Sequence, residues 1–204
     1  MGRRWFKRWA QVAGMVVLTG LHLRGAHPIR RADVILYVDG LGFPPAPIDS
    51  AAREILKQMY AQLGISVEWR EGSPKTGVES GGAVVIQIRF TTAIPTSASA
   101  YALAFARPYA DNKAIVVMYE RIAAVADGKA TLQRCLLAHV LAHEIGHVLE
   151  GTTVHSETGV MRARWRGSDY SDMVRRPLDF TPEDAAMIAR GLASWKSRPA
   201  GKQP

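Results

Sequence analysis

A single cysteine, Cys135, stands among 204 residues, so no intrachain disulfide can staple the fold, even in an exported protein. It falls inside an apolar helical stretch, where a buried and inert thiol is expected. The chain also lacks a G-x-S-x-G element, a Gly-rich phosphate loop and a Cys/His knuckle. Serine-hydrolase, nucleotide-binding and zinc-finger chemistry are therefore without support. No internal repeat is visible. Long apolar runs are missing too: Ala10–Leu23 is mostly apolar but is interrupted by Gln11, Thr19 and His22, and it is short for a membrane span of about 20 residues.

Acids are fewer than bases, and the net charge is +8. Arg3, Arg4, Lys7, Arg8 and Arg24 lie in the first 25 residues with no acid among them, so without that segment the charge is +3. The basic balance thus belongs partly to the N-terminus, and nucleic-acid binding does not follow from it. A basic start before a short apolar run has the form of an export signal, with Arg3-Arg4-Trp5-Phe6 a weak match to a twin-arginine signal. Arg24-Gly25-Ala26 is a poor cleavage site, which leaves an uncleaved anchor open as the sole membrane attachment. The expectation is residues 1–25 as signal or anchor, one domain over 32–195, and a disordered tail over 196–204. A second basic cluster, Arg162, Arg164 and Arg166 with Arg175 and Arg176, stays in the domain. It is expected to be a solvated loop, with acidic substrates or a membrane surface as the other reading.

Strand and helix signals alternate along the domain. Asp33–Asp39, Ile65–Trp69, Ala83–Phe90 and Ala114–Tyr119 read as strands, and Tyr101–Arg107 as a weaker edge strand closed by Pro108. Ile48–Leu63 carries apolar residues at helical spacing and stops at Gly64. Residues 120–127 read as a helical turn, and a long buried helix follows, with Thr131 as its cap candidate. After Met161 the chain is expected to be irregular until Thr181-Pro182-Glu183-Asp184. There Thr as N-cap, Pro at the first helical position and acids in the first turn announce a closing helix to about Trp195.

The long helix carries the one pattern that names a chemistry, His143-Glu144-Ile145-Gly146-His147. Residues four apart project from one helix face, so two imidazoles can share one Zn²⁺ with Glu144 beside them to handle a proton. A buried His, Glu and His need polar partners, and zinc supplies them most simply. A third ligand requires the chain to turn. Gly151 fits as the left-handed residue that ends the helix, and His155 is then carried back toward the metal. Glu150 is the rival, because seven residues after His143 it returns to nearly the same face; it is expected instead to be a solvated residue at the helix end. His139, one turn before His143, is expected to be a packed residue near the helix start.

The run from His143 through Gly151 and His155 to Met161 resembles the zinc-binding segment of the metzincin metallopeptidases, especially the matrixin-like ones. Those show H-E-x-x-H-x-x-G-x-x-H, whereas this chain has one residue more before the glycine and one more after it. The resemblance implies His143, His147 and His155 as zinc ligands, Glu144 as general base, and Met161 as the turn residue beneath the metal. It also implies an α+β, zincin-type domain: a mixed sheet of about five strands, two long helices above it, and a small irregular lower part closed by a C-terminal helix. The implied activity is a zinc-dependent endopeptidase acting on protein or peptide substrates, with segment 101–107 bordering the cleft. A non-proteolytic zincin-fold binding protein is the reading from another class. Tyr170 follows Met161 too distantly for a role to be assigned.

Overall fold

The computed structural model describes residues 32–74, 82–96, 98–109 and 113–197. The chain divides into residues 1–30 and residues 31–204, and every described residue falls in the second unit. The export segment expected over 1–25 lies outside the described residues, as do 198–204 of the expected tail.

Five strands, β1 (Val34–Gly40), β2 (Val67–Glu71), β3 (Val84–Phe90), β4 (Ala104–Ala106) and β5 (Ala114–Val117), form one sheet in the order β2-β1-β3-β5-β4. All neighbours are parallel except β4 and β5, which run antiparallel, so the sheet is mixed. In β3 the even positions Val84, Ile86, Ile88 and Phe90 are buried, while Gln87 and Arg89 turn outward. That period of two marks one covered face. The weak strand signal over 101–107 resolves into the three-residue edge strand β4. Its preceding residues form a loop held by Arg121, whose Nη1 donates to the carbonyls of Ser99 (2.9 Å) and Ala102 (2.7 Å).

The helices are α1 (Ala46–Gln62), α2 (Tyr119–Val125), α3 (Ala130–Glu150), α4 (Gly167–Arg175) and α5 (Pro182–Lys196). Helix α3 is buried on every side from Cys135 to Leu149, so it forms the centre of the domain and not a surface layer. Its residues share one core with the inward side chains of β1, β3 and β5 and with Leu56, Met59 and Tyr60 of α1. Tyr60 is fully buried and its hydroxyl donates to the Ala142 carbonyl at 2.9 Å, tying α1 to the middle of α3. No helix among the described residues is long and apolar enough to cross a membrane.

Three expectations need correction. Thr131 does not cap α3; Lys129 holds that position and makes no side-chain capping bond. The stretch after Met161 is not irregular throughout, because α4 forms within it, organised by Asp169, which accepts from the Arg166 N–H (2.6 Å) and from Arg162 (3.1 Å). Lys196 is the last residue of α5 and not the start of a tail. The closing helix otherwise begins as its sequence signals: Thr181 accepts from the Asp184 N–H, Asp184 accepts from the Thr181 N–H, and Pro182 opens the first turn.

Candidate metal centre

Helix α3 ends where its glycine permits. Gly151 has φ 68° and ψ 30°, and its N–H bonds the His147 carbonyl at 3.0 Å. The residue added before this glycine is taken into the helix, which runs to Glu150, and the one added after it lies in the segment 152–154. The chain then closes a tight loop, with the Ser156 N–H on the Met161 carbonyl at 2.9 Å and a bridge between Ser156 and Arg162. This returns His155 over the helix face it left.

The result is a convergence of three imidazoles. Nε2 of His147 lies 3.0 Å from Nε2 of His143 and 3.3 Å from Nε2 of His155, and the three residues form a group able to hold one metal ion. His143 Nδ1 lies 2.8 Å from the Val160 carbonyl, an oxygen that can only accept. Nδ1 therefore carries the hydrogen and Nε2 presents a lone pair to the cluster. Burial pushes the pKa of His143 and of His147 down to about 4, so both rings are neutral near pH 7. Burial also lowers His155, which stands on the exposed side. Tetrahedral ligands about 2.0–2.1 Å from a zinc ion sit about 3.3 Å apart, close to the spacing of these nitrogens. Neutral, nitrogen-only donors whose Nε2 atoms converge at this spacing fit such an ion.

Glu144 is buried beside this cluster. Burial raises its carboxyl to about 7, partly opposed by a hydrogen bond with the backbone of Ala106 in β4. It lines a cleft of about 510 Å³ together with His143, His155, Ala104, Arg164 and Tyr170. Tyr170, which sequence distance left without a role, is thus carried to the cleft by α4. Met161 is fully buried beneath α3: a Cβ placed on Gly146 would meet its Sδ at 2.5 Å. The glycine inside the His-Glu-x-Gly-His run is there to admit this thioether.

Two other sequence-predicted residues stay outside the cluster. His139 is fully buried near the middle of α3, not near its start; Nδ1 bonds the Cys135 carbonyl (2.6 Å) and Nε2 accepts from the Leu178 N–H (2.9 Å). Glu150 stands outside the group, and it is not the solvated residue expected at the helix end. Both its carboxylate oxygens are buried without a hydrogen-bond partner, and burial, then the nearby Asp184, raise its pKa to about 7. Helix α5 covers this end of α3, and Gly191 approaches so closely that an added Cβ would lie 1.7 Å from the Leu149 carbonyl.

Asp184 and Ser156 were not identified from sequence as parts of the site. Asp184 is 1% exposed and accepts from the Oγ of Ser156, the residue after His155, at 2.5 Å. The acid at the third helical position of α5 signalled a capping box; that it also reaches the loop of His155 depends on tertiary placement.

The chain matches no family model and no curated protein. Its fold is similar to the crystal structure of archaemetzincin from Methanopyrus kandleri, with a TM-score of 0.54 over 85% of this chain and 99% of that one. The fold is zincin-like. Sequence identity across this match is 15%, so the likeness extends to architecture, and the chemistry rests on the side chains of this chain.

Proposed function

We propose that this domain is a zinc-dependent endopeptidase of metzincin type. The observation that carries the reading is the convergence of three neutral imidazoles, with a buried carboxylate beside them, on one cleft. His143, His147 and His155 hold the zinc; Val160 fixes the ring of His143, and Met161 supports the helix under it. Zinc, when bound, supplies Lewis acidity toward a peptide carbonyl and toward water. Glu144 takes the proton of the attacking water and passes it to the leaving amine, from a buried position in the wall of the cleft. β4 is the edge of the sheet and Ala104 borders the cleft, so an extended peptide can add there as a further strand. The basic and then apolar start of the chain supports export, with an anchor as its uncleaved form. Fractionation of the full chain against a form lacking residues 1–25 tests this, and a cytosolic full-length protein ends it.

Glu144→Gln is the deciding variant. It is expected to keep one zinc per chain and to lose peptide cleavage by about 10²–10⁴-fold. Loss of zinc without Glu144 would contradict its role as base. A wild-type protein that holds zinc and cleaves no peptide would favour the non-proteolytic, metal-binding alternative. His155→Ala is expected to strip the metal while Glu150→Ala leaves it in place; the opposite pair of results overturns the ligand set.

A further inference from the structure

Two arginines stand in the wall of the cleft, and their charges are used differently. Arg162 meets Asp169 at 3.1 Å, both mostly buried, and its charge joins the loop after Met161 to α4. Among the described residues, Arg164 has no carboxylate within ion-pair distance. Its guanidinium lies over the ring of Tyr101, 5.2 Å from the centroid. Tyr101 is 78% exposed, but the loop that presents it is fixed from below by the two bonds from Arg121. The stacked pair therefore joins two segments that line the cleft, the loop before β4 and the loop after Met161. A guanidinium resting on an aromatic face keeps its N–H edge available, and that fork matches a carboxylate in two-point geometry. Among the described residues, the charged ones lining the cleft are Arg162, Arg164 and Glu144. Glu144 is buried, so the charge an arriving peptide meets first is positive.

We infer that the Arg164–Tyr101 pair is a carboxylate receptor that directs the cleft toward peptides with an acidic group beside the cleaved bond. This rests on the peptidase reading of the same cleft and adds the substrate's charge to it. The basic cluster that stood out in the sequence is then divided, Arg162 holding structure and Arg164 reading substrate. The recognised group is a carboxylate, from an Asp or Glu side chain or from a free peptide C-terminus.

The test uses zinc-loaded full-length protein and four peptides of one sequence: an Asp form with an amidated C-terminus, its amidated Asn and Lys counterparts, and the Asn form with a free C-terminus. Cleavage is measured with the wild type and binding with Glu144→Gln, which separates recognition from turnover. The Asp peptide is expected to bind and react about 5-fold better than the amidated Asn peptide at low salt, with the difference fading near about 0.5 M NaCl. Arg164→Glu is expected to abolish the preference and favour a Lys peptide, and Arg164→Gln to level it without change in thermal stability. A free C-terminus outperforming the internal Asp assigns the receptor to chain ends. Equal binding of Asp and Asn peptides, no peptide binding at all, or a preference unchanged in Arg164→Glu overturns the inference. An acidic preference in binding with no cleavage by the wild type leaves it standing and removes the peptidase reading instead.

Discussion

Met161 and Gly146 are complementary: one fills the space the other leaves. Met161 is fully buried, and the added Cβ at 146 would lie 2.5 Å from Sδ and 3.0 Å from Cε. Met161→Leu conserves volume and is expected to cost below about 1.5 kcal/mol with zinc retained. Met161→Ala opens a cavity under the histidines and is expected to cost about 2–5 kcal/mol, lowering the melting temperature and zinc content together. Gly146→Ala crowds the flexible end of a thioether and is expected to cost about 1–3 kcal/mol, and combining it with Met161→Ala should recover part of the loss. Additive losses in the double variant would show that the two do not share one space. At this scale the sequence reading was uneven for a physical reason. The spacing of His143, His147, Gly151 and His155 is local geometry and could be read directly. The need for glycine at 146 depends on a side chain from a distant loop, and the burial of Glu150 depends on α5 folding back over the end of α3.

Among the elements, α5 does more than close the domain. Its first turn holds Asp184, which binds its own N-terminus at Thr181 and the loop of His155 at Ser156. Thr181→Ala removes the cap alone and is expected to cost about 1 kcal/mol with zinc affinity unchanged. Asp184→Ala removes both contacts and is expected to lower stability by about 1.5–3 kcal/mol and zinc affinity by about 10-fold. Ser156→Ala should reproduce the loss of affinity with a smaller loss of stability. Zinc titration beside thermal melting decides it, because a merely structural Asp184 would weaken both variants' melting and spare affinity in all three. The main elements were legible where periodicity or caps are strong: β1, β3, β5, α1, α3 and α5 all lie within a few residues of their sequence expectation. Helix α4 was not, because it begins at a glycine, buries only Met173 and is organised by Asp169 contacts with Arg162 and Arg166.

Across the whole domain, the last turn of α5 is fastened to the opening of the sheet. Trp195 Nε1 donates to the Ala83 carbonyl at 3.1 Å, and Lys196 Nζ reaches Asp33 Oδ1 at 2.6 Å. Asp33, just before β1, also accepts from the N–H (2.9 Å) and hydroxyl (2.8 Å) of Ser66 ahead of β2. Burial pushes its carboxyl up, but the bonds from Lys196 and Ser66 outweigh that and hold it at about 2. The folded value lies below the unfolded value of about 3.9, so this contribution is fully present above roughly pH 5. It is lost as pH falls through about 2, where the folded carboxyl takes up its proton. Because the ammonium of Lys196 is half exposed, solvent screening reduces the worth of the contact to about 1 kcal/mol. Asp33→Asn is therefore expected to unfold at lower urea than the wild type at pH 7, and the two are expected to converge near pH 2. A constant gap across that range would mean that shape and not charge makes Asp33 useful. The same contact can be removed by truncation: a chain ended at Trp195 keeps every metal-centre residue but lacks the lysine. Relative to a chain ended at Ser197, it should lose about the same 1 kcal/mol at pH 7.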